Sequence, residues 1–346
     1  MQPAAARAPS GETASDQAPR FAPVIVCRLL PVCVSHTRSV PSLEALTART
    51  GFSRAFFCNS GTEANEAALK LAVKATGRAR IVSTKNSFHG RTMIPLSATG
   101  QVKYQSGFEP LVSKAFDFID FNSVEQLKSA ITRDTAAFIC EPIQGEGGIV
   151  AAKEEFFRTA RDLCDERGSL FIVDEVQTGI GRTGNWFGFQ HMGVVPDIVT
   201  LAKALGGGFP IGACLTTCEL AATFKPGAHG TTFGGNPLAC AVARTVIETI
   251  KEEGLVDRSA SLGERWSQEL RSLAVGGGLI KEVRGKGLMI GLEMGEEAKH
   301  FQEYALGEGI LVNVTGGKIV RMVPPLIVSD DSVSKTNDVL KAFQDR

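Results

Sequence analysis

From residue 42 onward, short apolar runs alternate with stretches whose apolar residues recur at helical spacing. The segments 55–58, 79–83, 136–141, 170–174, 197–202 and 211–216 read as buried strands. They lack strict in–out alternation, as expected where both faces of a mostly parallel sheet are covered. Between them, 61–76, 123–132, 154–167 and 238–252 carry a helical pattern, which predicts an α/β core with a central sheet covered by helices. After residue 252 the texture changes. A helix over 257–273 leads to the loop Gly276-Gly277-Gly278, then to strand-like segments at 280–284, 287–293, 310–314 and 318–323, with helices near 296–308 and 331–344. The expected division is a large α/β domain over 42–255 and a smaller C-terminal α+β domain over 256–346.

Residues 1–41 stand apart. They are rich in Ala, Pro, Ser and Arg, carry few acids and show no periodic apolar face. That composition suits an organelle transit segment, for a plastid or mitochondrion; a start of another kind would leave the chain in the cytoplasm. Across 346 residues, 37 basic side chains balance 37 acidic ones. The zero balance argues against nucleic acid as a partner. No apolar run approaches the roughly 20 residues of a membrane-spanning helix. The eight cysteines include no CxxC pair and sit mostly in apolar stretches, so buried thiols are expected rather than a disulfide framework or a metal site.

Open α/β sheets place ligands at the carboxyl ends of their strands, so the residues after each apolar run carry the chemistry. Asn59-Ser60-Gly61-Thr62 follows the first run and opens a helix. Its free backbone N–H groups and the helix dipole suit an anion such as a phosphate, although Ser60 alone also reads as an ordinary helix cap. Phe88-His89-Gly90-Arg91 pairs a ring that could stack on a planar ligand with a guanidinium that could hold a carboxylate. At the end of Leu170–Val173, Asp174 places a carboxylate where burial is costly without a partner; it suits a protonated ring nitrogen or a structural arginine. Lys203 ends 197–202, beside Ala204-Leu205-Gly206-Gly207-Gly208, where a lowered pKa and Schiff-base chemistry become accessible. A phosphate turn, an aromatic, an Asp and a Lys at the edge of one sheet together meet the needs of pyridoxal 5′-phosphate.

Several stretches resemble the class III, ornithine-type aminotransferases: Asn59–Glu66, Phe88–Thr92, Glu141–Gly148, Asp174–Gly179, Leu201–Lys203 and His229–Pro237. The resemblance runs from about residue 42 to the C-terminus and implies the fold-type I architecture of pyridoxal-phosphate enzymes. It implies that Lys203 holds the cofactor aldehyde and moves the proton, and that Asp174 faces the ring nitrogen. Ser60, Gly61 and Thr62 would bind the phosphate, Phe88 would stack on the ring, and Glu175, Val176 and Gln177 would border it. Arg91 would take the substrate α-carboxylate and Arg321 a distal carboxylate, with Glu146 as the switchable partner of Arg321. Thr231 would lie beside the substrate and Thr232 would reach the phosphate of a partner subunit, which makes the expected assembly a homodimer with composite sites. No metal is implied.

Within the family, 236–243, 285–291 and 311–315 point to N-acetylornithine as amino donor and 2-oxoglutarate as acceptor, a step of arginine biosynthesis. Ornithine and 4-aminobutyrate are the alternative donors. Residues 1–40 match none of the family segment that carries substrate-lining aromatics and interlocks with the partner subunit. A non-catalytic relative is therefore the alternative from another class. A nucleotide-binding oxidoreductase is disfavoured, because no GxGxxG follows a strand with an acidic residue about 20 positions on.

Overall fold

The structure, a computed structural model, describes residues 52–274 and 278–346. The segment 1–41, with its transit-like reading, lies outside the described residues, as do Cys27, Cys33, Gly276 and Gly277.

The large sheet has seven strands: β1 (Arg54–Cys58), β2 (Arg80–Thr84), β3 (Phe116–Ile119), β4 (Thr135–Cys140), β7 (Leu170–Asp174), β8 (Ile198–Leu201) and β9 (Gly212–Thr216). Their spatial order is β1-β9-β8-β7-β4-β2-β3. Pairing is parallel from β8 across to β3, and only β9 runs against its neighbours. The carboxyl ends of β1, β2, β4, β7 and β8 therefore share one edge, and the chain leaving β8 crosses that edge before entering β9. Between β4 and β7 lies a small hairpin, β5 (Ile143–Gln144) with β6 (Val150–Ala151).

Each central strand sends apolar side chains both ways. Phe138, Cys140, Phe171 and Val173 join one core cluster, while Ile139 and Ile172 join another on the opposite face. This explains the missing polar alternation in the sequence. Helix Gly61–Thr76 covers the second face with Leu69 and Leu71, and helix Glu154–Arg167 covers the first with Phe156 and Phe157. Burying each such Phe contributes about 1.5–3 kcal/mol. The helix Gly61–Thr76 begins at Ser60, whose hydroxyl accepts from Glu63 N, and ends where Gly77 takes a left-handed φ of 67°. Pro237 opens helix Pro237–Glu252 behind an Asn236 cap, as expected for a ring with no N–H to lose.

Beyond helix Leu255–Leu273 a four-stranded antiparallel sheet forms. Its strands are β10 (Glu282–Lys286), β11 (Met289–Glu293), β12 (Asn313–Thr315) and β13 (Ile319–Met322), in the order β10-β11-β13-β12. Helices Glu297–Gly307 and Asp330–Gln344 pack on it. The apolar core continues without a break into this region, since Leu262, Trp266, Ile290, Val320 and Phe301 belong to the same cluster as Phe138 and Phe171.

Strand β3 is the one strand of the large sheet that the hydrophobic pattern does not announce. It lies at the sheet edge, and Phe-Asp-Phe-Ile places Asp117 against Arg80 of β2, so the segment never becomes a continuous apolar run. Among the described cysteines, Cys58, Cys140, Cys164 and Cys214 are buried as expected, whereas Cys218 is exposed. Burial pushes the thiols of Cys58 and Cys164 up to about 12, which leaves them unreactive. No described helix is long and apolar enough to cross a membrane, and no described group of His, Cys, Asp and Glu could hold a metal ion.

Candidate active site

A cavity of about 570 Å³ opens at the shared carboxyl edge of the large sheet. Its walls include Ser60, Gly61 and Thr62 after β1, Phe88, His89 and Arg91 after β2, Glu141 and Glu146 after β4, Asp174, Val176 and Gln177 after β7, and Lys203 after β8. Segments scattered over 144 positions are brought together because parallel strands all finish at the same level.

Asp174 is 3% exposed and held by three donors. Asn65 Nδ2 donates to its Oδ2 at 2.8 Å, His89 Nδ1 lies 2.8 Å from the same oxygen, and Val176 N donates to Oδ1 at 3.0 Å. Asn65 is fixed in turn: its amide donates to His89 O at 2.7 Å and its Oδ1 accepts from Thr200 Oγ1 at 2.7 Å. With one donor only, Oδ1 keeps acceptor capacity toward the cavity.

Lys203 has a φ of +43°, a left-handed conformation that a non-glycine residue adopts at a cost. Its side chain has solvent access through the cavity, yet protein surrounds it closely. Desolvation lowers its pKa, outweighing the opposing charges of Asp174, Glu146 and Glu141. No hydrogen bond or ion pair ties down its Nζ. An untethered amine with a lowered pKa is what a nucleophilic lysine requires.

At the opposite wall, the N–H groups of Gly61 and Thr62 open the helix without intrahelical partners. A Cβ on Gly61 would lie 2.7 Å from Val176 Cγ1, so only glycine allows the turn to approach β7 this closely. Thr62 Oγ1 is 2.8 Å from Thr92 Oγ1. Phe88 meets Tyr104 edge-on at 5.1 Å, and the Arg91 guanidinium sits 5.8 Å from the Phe88 ring and 5.6 Å from the Tyr104 ring.

The small sheet contributes one side chain at depth. Arg321 of β13 donates from Nη1 to Glu146 Oε1 at 2.6 Å and reaches Gln177 Oε1 at 3.5 Å. The pair is only 13% and 23% exposed. Burial alone would raise the Glu146 pKa, but the Arg321 hydrogen bond and charge hold it below the usual carboxylate range. Thr315 Oγ1 donates to Glu146 O, and Arg284 Nη1 donates to Gly148 O at 3.4 Å, so the turn carrying Glu146 is gripped by the small sheet.

The structure corrects one expected site residue. Glu175 does not border the cavity. It is buried on the far side of the strand end, where its carboxylate accepts from Thr178 Oγ1, Gly188 N at 2.9 Å and Phe189 N at 2.8 Å. Desolvation pushes its pKa up to about 7 against those bonds. It fastens the loop after β7. Thr231 and Thr232 do not line the cavity: Thr231 Oγ1 accepts from Asn59 Nδ2 of its wall at 3.2 Å, and Thr232 is exposed. Asn65, His89, Glu141 and Tyr104 are site residues to which the sequence assigned no role. Asn65 falls one helical turn after Gly61, on the face turned to the sheet edge, and His89 sits within the Phe-His-Gly-Arg stretch; those are the signals that could have found them. Tyr104 left none.

The sequence matches the family Aminotransferase class-III over residues 27–343, starting inside the segment 1–41 that composition set apart. The acetylornithine aminotransferase of Methanosarcina mazei is 46% identical over 298 residues, which are 86% of this chain and 74% of that protein. Among solved structures, an ornithine aminotransferase from Toxoplasma gondii, with partial occupancy of PLP at its active site, superposes with a TM-score of 0.83 at 35% identity, over 91% of this chain and 78% of that one. The N-acetylornithine aminotransferase of Stenotrophomonas maltophilia superposes with a TM-score of 0.74 at 36% identity, over 88% and 79%.

Proposed function

The chain belongs to the class-III aminotransferase family, and from that premise we propose that it moves the δ-amino group of N-acetylornithine to 2-oxoglutarate, with pyridoxal phosphate as cofactor. The observation that carries this reading is the meeting of an untethered Lys203 amine and a triply held Asp174 carboxylate in one cavity, opposite the unspent N–H groups of Gly61 and Thr62. The cavity fits the cofactor. It offers an amine for an aldehyde, a fixed anion with a spare acceptor for a protonated ring nitrogen, and a turn with no room for a Cβ where a phosphate must come close.

When bound, pyridoxal phosphate supplies an aldehyde that exchanges between amines and a ring that withdraws electrons from the reacting carbon. Asp174 would hold the proton of the bound ring nitrogen, and its three donors keep the carboxylate aimed. Lys203 Nζ would take a proton from the substrate carbon and return it two atoms along, a task that its lowered pKa favours. Arg91, at the mouth beside Phe88 and Tyr104, offers a planar fork to a substrate carboxylate. The Glu146–Arg321 pair lets one pocket serve two substrates. Closed, it presents no bare cation to the uncharged methylene chain of the donor; opened, it frees Arg321 for the distal carboxylate of 2-oxoglutarate.

The same reading makes the protein a homodimer. Thr232 is followed by Phe233, 70% exposed, and Leu238, 61% exposed, an apolar stretch suited to a second copy; light scattering of the full chain tests this. The substrate assignment is tested by comparing kcat/KM for N-acetylornithine, ornithine, succinyldiaminopimelate and 4-aminobutyrate with 2-oxoglutarate as acceptor. N-acetylornithine should lead. A higher value for ornithine or 4-aminobutyrate would replace the donor, and transfer from none of them would identify a non-catalytic relative.

A further inference from the structure

Glu141 has no part in the steps above, yet it is 3% exposed and forms part of the cavity wall. It follows the last residue of β4, and because Cys140 pairs with Val173 in parallel register, Glu141 stands beside Asp174 at the sheet edge. Its two carboxyl oxygens face two different loops. Phe88 N donates to Oε2 at 3.1 Å and Gly145 N donates to Oε1 at 3.3 Å. The first loop carries the ring wall, with Phe88 and the His89 that touches Asp174. The second carries Glu146, the partner of Arg321.

We propose that Glu141 is a positioning residue that ties the ring wall to the Glu146 turn, so that the Glu146–Arg321 pair closes at a fixed distance from the reacting centre. The inference rests on reading that pair as the selector between substrates. Both donors are backbone N–H groups, so the tie from Phe88 to Gly145 runs through the Glu141 side chain. The small sheet already grips the far side of the same turn through Thr315 and Arg284. On the large-sheet side Gln144 Nε2 holds the start of the turn to Thr84 Oγ1 at 3.0 Å and Lys85 O at 2.8 Å, so Glu141 is what carries that anchorage on to Gly145 and, through it, to Glu146. Burial and the neighbouring Asp174 charge push the Glu141 pKa well above the carboxylate range, against the two backbone N–H donors.

Glu141→Gln is an informative change. The amide is as large as the carboxyl group, but it has one acceptor oxygen where the carboxylate has two. The longer bond, to Gly145, is the one expected to be given up. In the holoenzyme, the KM for the amino donor should rise about tenfold, the cost of one buried hydrogen bond. The KM for 2-oxoglutarate, which needs the pair open, should stay within about twofold, and kcat within about threefold. Glu141→Asp keeps two oxygens but loses one methylene of reach, so it should behave as the Gln variant does. An Asp variant that matched the parent while Gln did not would show that charge, not span, is what counts, and would overturn the proposal. Equal rises in both KM values with a fall in melting temperature would reduce Glu141 to packing and also overturn it. Amide exchange gives a readout that does not depend on the donor. Peptides over 143–149 should exchange faster in the substrate-free Glu141→Gln holoenzyme while those over 61–76 are unchanged, and identical exchange over 143–149 would refute the clamp whichever amine proves to be the substrate.

Discussion

At the end of β7 the Asp174 carboxylate is fixed several times over, whereas at the small-sheet end a single ion pair holds the Arg321 guanidinium. Asp174 has three donors, and one of them, Asn65, has two further partners of its own. Arg321 has Glu146 and one long contact to Gln177, and its Nε has no partner at all. The contrast follows from the two tasks. Proton transfer uses one geometry for every substrate and gains from groups that need no reorganisation. Selection between an uncharged and an anionic side chain needs a charge that can be covered and uncovered, which a rigid network would forbid.

The comparison breaks first at Lys203. Lys203→Ala should lose essentially all transfer, because no other described lysine lines the cavity; measured turnover with saturating cofactor checks this, and appreciable residual rate would move the proton-transfer role elsewhere. Asp174→Ala should cost roughly two to three orders of magnitude in kcat, with the cofactor still captured by the lysine and visible in the absorbance spectrum. A near-normal rate would show that the fixed end is not what drives the chemistry.

Asp174 and Glu175 are neighbours in sequence with opposite duties, and pH reports on the second. Burial raises the Glu175 pKa from 4.5 to about 7, so the folded state binds more protons than the unfolded chain between those values. Its contribution to stability is therefore full below about 4.5 and is lost as pH rises through 7, a change of about 3 kcal/mol. Unfolding free energies at pH 5 and pH 8 should show that decline in the parent and a flatter line in Glu175→Gln. Equal pH dependence in the two proteins would refute the role.

The switchable end is sharpened by Arg321→Ala, which should raise the KM for 2-oxoglutarate by roughly 10- to 100-fold, the loss of a bidentate charged contact, while a monocarboxylate acceptor such as pyruvate changes little. An equal rise for both acceptors would mean that the pair only braces the two sheets. The smallest effect belongs to Ser60→Ala. Ser60 caps the helix through one long bond of 3.4 Å to Glu63 N, so about 1 kcal/mol of stability or less should go, read as a small drop in melting temperature with cofactor retained.

The same contrast explains what the chain disclosed before it was folded. Asp174 and Lys203 were legible because each ends an apolar run, and a charge in that place has few structural explanations. The helix Gly61–Thr76 was legible to the residue because its cap and its terminal glycine are both local. Glu175 was misplaced because adjacent residues leave a strand end in opposite directions, and sequence does not say which side faces the cavity. Arg321 and Glu146 lie 175 positions apart, and nothing in spacing or composition joins them; only the family resemblance did. Strand β3 and Tyr104 escaped for a related reason, since an edge strand with a charged residue and an isolated tyrosine on a short helix leave no periodic trace.

Borohydride reduction of the cofactor-loaded protein, followed by peptide mass mapping, would fix the reduced pyridoxyl phosphate to whichever amine had held it. That mass should fall on the peptide containing Lys203 and on no other. Labelling of a different lysine, or of none in protein shown to be folded and loaded, would contradict the assignment of this cavity as the catalytic centre.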